Sequence, residues 1–524
     1  MQGKKHYQEK LFTHFQLSDY VPENNFYRRL RSVLNLDFLY AKTKDYYGHK
    51  GQASIDPVVF FKLCLVGYLE NIVSDRKIIE HIRMRLDILY FLGYDIDEAL
   101  PWHSTLSRTR QLFEESLFEE VFTHILGMCI AKGMVSGHTQ AIDSAPIKAN
   151  ASMDSLELKV PKQELEEYIQ QIRHISNMDK PKPSRKSKVN KASEEQKKVT
   201  ASKSELKNIA GRNKKWQQDQ NHRPGAGAKN SKYTSNKTHY SPTDPDARIS
   251  VKPGKARKLN YLSQLSVDTA HHVITDIWAY HADKKDNQCL QDITLRLKHR
   301  LDIQGLLWLN LLADTGYSAG ENYEFLEQLG LISYIPPHGT YKGGPDGFIY
   351  HQEGDYYICP QGNKIPFKKV FLDHRTQTKK KEYRCSSLVC KDCRIKKKCL
   401  GKSVKEKRFS VTYYRAEYER NNKRIKSSRG KYFKKKRSST VEPVFGTLIQ
   451  FMGLRKINTI GIQQANKVML MAATAYNLKK YLKFIAKKAI SKQQTAGFVK
   501  FLKNVLYRAI FSVFKPLKFQ IKLL

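Results

Sequence analysis

Residues 140–150 read QAIDSAPIKAN, and Asp143 is the one acidic residue in this mostly apolar run. Residues 311–316 read LLADTG, so that Asp314 stands at the end of a leucine-rich run. Short apolar runs rich in leucine or in β-branched residues are typical of buried strands. We therefore expect both aspartates to lie on or directly after strands of one sheet.

A third acid, Glu442, lies in residues 439–445, which read STVEPVF. The apolar pattern after it predicts an amphipathic helix that begins here, with Thr440 as its N-cap and Pro443 tolerated in the first turn. Glu442 would then stand where the helix dipole favours a carboxylate. We expect the three carboxylates to converge at one end of a mixed sheet.

Converging carboxylates supply the oxygen ligands that Mg²⁺ or Mn²⁺ prefers. A pair of such ions stabilises both the attacking and the leaving oxygen of an in-line displacement at phosphorus. The chain has 92 Lys and Arg residues against 50 Asp and Glu residues, a formal net charge of +42, which indicates a polyanionic partner. Nucleic acid is the polyanionic partner that fits these observations best. A ribosome-associated or basic membrane-surface protein would also have this charge, but neither explains the three acids.

Length and hydropathy limit the classes of protein to which the chain can belong. The 524 residues are enough for roughly two to four domains with cores of their own. No apolar run approaches the roughly 20 residues of a membrane span, and the first residues lack the apolar core of a signal peptide. We expect a cytoplasmic, nucleoid-associated protein with neither a membrane partner nor a small-molecule substrate.

The predicted elements run helices first, then strand, hairpin, helix, strand, helix and strand. This order predicts an α/β fold: a ribonuclease-H-like mixed-sheet catalytic core with an all-α N-terminal domain and two basic insertions. The expected divisions are a helical DNA-binding domain (1–133), the first part of the core (134–160), a basic and largely flexible insertion (161–250), the continued core (251–338), a basic Cys-rich insertion (339–436), and the final catalytic helix with C-terminal helices (437–524).

Basic and aromatic side chains on the helical domain and on the second insertion are candidates for DNA contact. The alternative for each is an ordinary solvated surface residue. The candidates are Arg76, Lys77, Arg108, Arg110, Lys397, Lys398, Tyr432, Lys435 and Arg437.

The second insertion contains four clustered cysteines, Cys385, Cys390, Cys393 and Cys399. In a reducing compartment such a cluster favours a structural Zn²⁺ site, which would fold a segment that otherwise lacks a core. Cys359 could replace one of these four ligands. Free thiols without metal remain the competing interpretation, because only one pair has the Cys-x₂-Cys spacing.

The chain resembles bacterial insertion-sequence transposases of the DDE (Asp-Asp-Glu) type, in the group with a helical N-terminal domain and a Cys-containing insertion before the final Glu. The resemblance covers nearly all of the chain. It rests on residues 86–93 (LDILYFLG), 101–106 (PWHSTL), 142–150 (IDSAPIKAN), 313–317 (ADTGY) and 441–446 (VEPVFG).

The resemblance implies that Asp143, Asp314 and Glu442 are the catalytic and metal-binding acids, holding two Mg²⁺ or Mn²⁺ ions. It implies a DNA transposase that binds the terminal inverted repeats of its element and the target DNA. Such an enzyme cleaves the strands and transfers them, and it works as a homodimer because two ends must be held together.

One position departs from the family pattern. Related transposases often have a Tyr and an Arg before the Glu and a Lys two helical turns after it. Tyr432 and Arg437 can fill the first two roles at altered spacing, but Ile449 stands at the Lys position. Two alternatives stay open: an inactive, transposase-derived DNA-binding regulator, which should have lost at least one acid, and a ribonuclease-H-like nuclease or resolvase without strand transfer.

Overall fold

The structure is a computed structural model that describes residues 15–48, 54–158, 236, 239–250, 257–339, 341, 343–374, 377–400 and 403–513, with side chains described up to residue 488. Most of the first basic insertion, expected at 161–250, lies outside the described residues. The same holds for the glycine run within it.

The N-terminal region is helical throughout its described residues, as predicted. Its α-helices are α1 (Leu17–Tyr20), α2 (Phe26–Val33), α3 (Phe38–Thr43), α4 (Pro57–Leu69), α5 (Asp75–Arg83), α6 (Leu86–Leu92), α7 (His103–Leu112) and α8 (Glu115–Ala131), with a 3₁₀ turn at Lys44–Tyr46. The central helix is α4. Asp56 caps it by accepting hydrogen bonds from the backbone N–H groups of Val58 and Val59, and its apolar side chains are buried on almost every side.

The central core is a six-stranded mixed sheet with two helices. In chain order the elements are β1 (Thr139–Lys148), β2 (Glu157–Leu158), β3 (His239–Tyr240), β4 (Arg248–Ser250), β5 (Lys258–Asp268), β6 (Ile274–His281), α9 (Asp286–Ile303), β7 (Asn310–Leu312), α10 (Gly320–Gln328) and β8 (Ile332–Tyr334), with 3₁₀ turns at Met153–Ser155 and Thr315–Tyr317. The strand order is β4-β5-β1-β7-β8, with β6 also paired to β5, while β2 and β3 form a separate pair. The predicted order of strand, hairpin, helix, strand, helix and strand is confirmed.

The second insertion forms a five-stranded antiparallel sheet of its own. Its strands, in spatial order β13-β12-β11-β10-β9, are β9 (Ile349–His351), β10 (Tyr356–Ile358), β11 (Lys364–Asp373), β12 (Thr378–Arg384) and β13 (Arg408–Thr412), with short helices α11 (Ser387–Lys391) and α12 (Lys396–Cys399). The expectation that this segment lacks a core is wrong. Tyr357, Ile365 and Tyr383 are buried together, and Phe409 packs against them.

The chain returns to the core through α13 (Arg415–Lys426), α14 (Ser428–Phe451) and α15 (Ile462–Val513). The prediction that a helix begins at Thr440 is wrong, because α14 begins twelve residues earlier, where the Ser427 hydroxyl accepts a hydrogen bond from the Gly430 N–H. Glu442 is therefore in the interior of the helix, without the benefit of an N-terminal dipole. The expected boundary between 436 and 437 also falls inside α14.

Pro443 explains why the sequence pattern predicts a helix start near Thr440 although α14 begins at Ser428. A proline inside a helix lacks one backbone donor, which makes the preceding residues look like a helix start. Here the Thr440 hydroxyl donates to the Lys436 carbonyl at 2.7 Å instead of capping, and the Ser439 hydroxyl donates to the same carbonyl at 3.0 Å. The turn before the proline thus keeps local hydrogen bonds, and the helix continues through it.

The helix α15 joins the N-terminal helices to the sheet. It packs on α4, α8 and β6, and the residues that contact them form one continuous hydrophobic cluster with the buried faces of α4, β5 and α14. Among the described residues, no helix combines the length and the apolar character needed to cross a membrane.

Lys467 is a buried cation within this junction. It is only 3% exposed, and its ammonium group donates to the backbone carbonyls of Arg110 (3.0 Å) and Phe113 (2.6 Å), at the point where α7 passes into α8. Burial lowers the pKa of Lys467 to about 8. The unfolded chain therefore holds a proton that the folded chain has released between about pH 8 and about pH 10.5.

We expect the stability contributed by Lys467 to rise with pH between about pH 8 and about pH 10.5, and to stay at its lowest value below about pH 8, where the folded and the unfolded chain both hold the proton. Urea unfolding at about pH 7.5 and about pH 9.5 checks this. The free energy of unfolding of wild type minus that of Lys467→Met should be higher at about pH 9.5 by on the order of 1–2 kcal/mol. Lys479→Met, at an exposed position of the same helix, is the control and should show no such change. A difference independent of pH would contradict the lowered pKa.

Candidate active site

Strand register brings Asp143 and Asp314 side by side. β1 and β7 are parallel, and Ala141 is paired with Leu312, so each aspartate lies two residues beyond a paired position. Asp143 shares the side-chain direction of Ala141, which belongs to the hydrophobic cluster covered by α14 and α15. The Asp143 carboxylate therefore points toward the face on which α14 lies, whereas Asp314 lies beyond the end of β7, at the start of the following 3₁₀ turn.

Each aspartate is held by a backbone N–H group. Asp314 accepts a hydrogen bond from the Gly316 N–H at 2.9 Å, and Asp143 accepts one from the Ser144 N–H at 2.9 Å. Burial raises the pKa of Asp143, and the nearby Asp314 carboxylate raises it further, while Arg437 acts in the opposite direction. A buried acid whose pKa is raised beside a second carboxylate is typical of functional sites.

Arg437 connects Asp143 to Glu442. Its Nη1 donates to Asp143 Oδ2 at 3.0 Å, and its Nη2 lies 3.8 Å from Glu442 Oε1. The side chains of Arg437 and Asp143 are 15% and 17% exposed, whereas that of Glu442 is 63% exposed. Asp143 and Glu442 thus share one guanidinium, and Asp314 lies close enough to Asp143 to act on its pKa.

The carboxylates are not gathered around a single point. Within the described ranges, no group of three or more His, Cys, Asp or Glu side chains is arranged to hold a metal ion. The position between Asp143 and Glu442 is taken by the Arg437 guanidinium.

Sequence reasoning missed a fourth acid at the same edge of the sheet. Asp286 is the first residue of α9, and its carboxylate lies against Gly316, two residues after Asp314. Gln264 of β5 donates to it at 3.2 Å. In the sequence Asp286 looks like an ordinary acid in the first turn of a helix, and only its position after the hairpin strand β6 could have marked it.

Most of the candidate DNA contacts lie on the surface. The exposed candidates are Arg76, Lys77, Arg108, Lys397, Lys398, Tyr432 and Lys435. Arg110 is different, because its guanidinium donates to both carboxylate oxygens of Asp75, at 2.7 and 2.9 Å, with both side chains largely buried. This ion pair ties α7 to α5, so we leave Arg110 out of any proposed interface.

Three cysteines meet in the small core of the second insertion. Cys385 is buried, and Cys390 and Cys359 pack beside it. Cys359 stands at the turn between β10 and β11, where its N–H donates to the Asn363 carbonyl at 2.9 Å. Burial, followed by the neighbouring Cys390 and Cys359, raises the pKa of the Cys385 thiol to about 12. Cys399, by contrast, is the last residue of α12 and does not belong to this small core of described side chains.

Two family models match separate parts of the chain. Residues 15–112 match the model described as a transposase domain (DUF772), and residues 358–482 match the model described as a transposase DDE domain. The second match contains Glu442 and Arg437. The strands that carry Asp143 and Asp314 lie between the two matched regions.

Among solved structures, a Mos1 transposase paired-end complex with left transposon end matches 58% of this chain and 67% of its own, at 13% identity and a TM-score of 0.16, a similarity too low to carry an argument. No curated protein matches the chain. The two family matches cover the helical N-terminal domain and the region of the final acid, and they show that the chain is a DNA transposase of the DDE type, an enzyme that cleaves and transfers DNA strands.

Proposed function

We propose that this transposase binds the ends of its own element and cleaves and transfers DNA with Asp143, Asp314 and Glu442 as its catalytic acids. The observation that carries the proposal is the convergence of Asp143 and Asp314 through parallel strand register, opposite the helix that bears Glu442. All three acids are present, which is the feature that an inactive regulator should lack.

The donor set fits a hard divalent cation such as Mg²⁺ or Mn²⁺. The available ligands are carboxylate oxygens, and the Arg437 guanidinium already occupies the space between Asp143 and Glu442, so a positive charge is accommodated there. We propose that Asp143, Asp314 and Glu442 hold two such ions. When bound, the ions would activate the attacking water or 3′-hydroxyl and stabilise the leaving 3′-oxygen.

The other protein groups of the proposed site each have a separate role. The Ser144 and Gly316 N–H groups orient the two aspartates before substrate arrives. Glu442, on the exposed surface of α14, is the acid that DNA can reach. Arg437 can exchange its contact with Asp143 for one with a phosphate oxygen, since a guanidinium suits both.

The proposed partner is double-stranded DNA, both the terminal inverted repeats and the target. The net charge of +42 supports it, as do the exposed basic side chains of α5, α7, α12 and α14. We propose that the helical N-terminal domain recognises the ends and that two copies of the chain hold two ends together.

Substitution of the acids tests the proposal. Asp143→Asn, Asp314→Asn and Glu442→Gln should each lower Mg²⁺- or Mn²⁺-dependent cleavage at the element boundary by roughly 10³-fold or more, because each removes a group that acts on the reacting atoms. Gel-shift binding to the element ends should be retained. Asp302→Asn, an exposed acid on α9, is the matched control and should cleave normally.

Other outcomes would point elsewhere. Cleavage that persists in the three variants would place the active site at other residues. Specific binding by wild type without cleavage would favour the inactive regulator, and cleavage without joining to target DNA would favour the nuclease.

Arg437 provides a second test, because it competes with a cation for the same carboxylates. In Arg437→Gln, the rise in melting temperature caused by Mn²⁺ should exceed that of wild type, since no guanidinium has to leave Asp143 first. Arg455→Gln, an exposed arginine beyond the end of α14, should behave as wild type. An equal or smaller rise in Arg437→Gln would show that the guanidinium does not stand in for a cation.

We also propose a structural Zn²⁺ site in the second insertion, with Cys359, Cys385, Cys390 and Cys393 as its ligands. The packing of the first three in one small core supports this set over one that contains Cys399. Zinc bound by four thiolates would add stability that so small a hydrophobic core does not supply by itself.

Metal analysis distinguishes the ligand sets. Purified protein should contain about one zinc per chain, and Cys359→Ser should lower that content and the thermal stability together. Cys399→Ser is the matched control and should keep its zinc. Wild-type protein without zinc would leave these cysteines as free thiols, and zinc loss in Cys399→Ser instead of Cys359→Ser would restore the set first expected from the sequence.

A further inference from the structure

A cavity of about 620 Å³ lies at the far end of β1 from the start of the strand. Three lysines with exposed side chains line it, and we call it the three-lysine cavity: Lys148, Lys258 and Lys456. Neutral polar side chains complete much of the remaining lining: Asn150, Ser152, Ser155 and Thr243.

Hydrogen-bonded backbone brings the three lysines together. Lys148 is the last residue of β1, and it is paired with Asn260 of β5 on one side and bridged to Lys456 on the other. Its carbonyl accepts a hydrogen bond from the Ile457 N–H at 2.8 Å. Lys258 is the first residue of β5. The lysines therefore come from three neighbouring backbone segments, although Lys148 and Lys456 are far apart in the sequence.

The three-lysine cavity lies where the helical N-terminal domain meets the core. The side-chain amide of Asn458 donates to the Val73 carbonyl at 2.6 Å, two residues before α5, and the Asn458 carbonyl accepts from Asn150 at 3.0 Å. Lys456 also lines a small second cavity formed with α4 and α5. The site is therefore connected directly to the helix that carries Arg76 and Lys77, two of the exposed candidates for DNA contact.

The protein does not compensate the positive charge of this cavity. None of its described lining residues is acidic, and in the described part of the chain none of the three lysines forms an ion pair. Ammonium groups around one space disfavour each other's charged form unless an anion lies among them. Lysine is a common ligand of phosphate, and hydroxyl and amide groups donate to further phosphate oxygens. The lining therefore has the chemistry of a phosphate site.

Size and exposure favour the phosphates of a nucleic acid over a free phosphate ion. A volume of about 620 Å³ is within the range of roughly 300–1,000 Å³ of pockets that take whole organic ligands. The three lysine side chains are exposed, so a strand that lies along the surface can contact them without being enclosed. A DNA strand offers several phosphates in succession, one for each ammonium group.

We propose that the three-lysine cavity binds backbone phosphates of double-stranded DNA, as an anchor between the helical N-terminal domain and the core. This inference rests on the proposed function in taking DNA as the partner, but it requires none of the three catalytic acids. Phosphate contacts position a duplex without reading its sequence. The cavity therefore holds the element ends and unrelated DNA alike.

The salt dependence of DNA binding, measured by fluorescence anisotropy on a duplex carrying an element end and on an unrelated duplex, provides the test. Lys148→Gln/Lys258→Gln/Lys456→Gln should lower the slope of log K against log salt concentration by roughly 2 to 3 on both duplexes, since each phosphate contact contributes about 0.9. Lys132→Gln/Lys298→Gln/Lys423→Gln removes the same charge from exposed lysines elsewhere and should leave the slope near that of wild type.

Two further measurements separate charge from folding and DNA from a free anion. Lys148→Arg/Lys258→Arg/Lys456→Arg keeps the three charges and should bind DNA as wild type does; binding as weak as that of the glutamine variant would contradict the proposal. Inorganic phosphate is the second probe, at matched ionic strength. If it raises the melting temperature of wild type but not of the glutamine variant, while both bind DNA equally, the cavity takes free phosphate and the proposal is wrong.

The outcomes distinguish this site from the proposed function. If wild type binds DNA and the glutamine variant behaves as the control variant does, the three-lysine cavity is not a DNA site and the proposed function stands. If wild type binds neither duplex, the proposed DNA partner is wrong and this site falls with it. Cleavage by the variants of the catalytic acids bears on neither result.

Discussion

The parallel pairing of β1 with β7 is the constraint on which the site depends. Side chains alternate between the two faces of a strand, so a shift of one residue in this pairing would turn Asp143 away from α14. The register is secured by packing on both faces: Ala141 and Leu312 belong to the cluster beneath α14 and α15, while Ile142 and Leu311 belong to the cluster beneath α9 and α10. The hydrophobic layers thus determine where the acids point.

The long helix α14 supplies the groups that face those acids. Because it begins at Ser428 and passes through Pro443 without a break, Arg437 and Glu442 lie on one continuous helix above the sheet. The ion pair of Arg437 with Asp143 then compensates a carboxylate that burial would otherwise destabilise. A basic residue that would contact phosphate on an open surface is here drawn into the centre of the site.

The same principle appears at the other buried charges of the molecule. Arg110 is satisfied by Asp75, and Lys467 by two backbone carbonyls, so each cation at the junction of the helical domain and the core has found local partners. Buried acids are satisfied in the same way by neutral donors: Asp268 accepts hydrogen bonds from the Gly137 N–H and from Gln140, and Asp244 accepts one from the Tyr261 hydroxyl.

The sequence by itself determined the class of fold, the order of the core elements, the helical N-terminal domain and the three acids, because apolar periodicity and the ends of apolar runs are local properties of the chain. The charge balance likewise indicated a nucleic-acid partner. Only the tertiary structure decided where α14 begins, that Arg110 is internal, that Arg437 bridges two acids, that Cys359 packs with Cys385, and that Asp286 lies beside Gly316. Each of these depends on contacts between distant residues: Arg437 and Asp143 are 294 positions apart, and Asp286 approaches Asp314 only through strand pairing and buried hydrogen bonds. Local pattern carries no information about which of many similar basic or acidic side chains will meet across a fold, since that choice is made by the packing of the core.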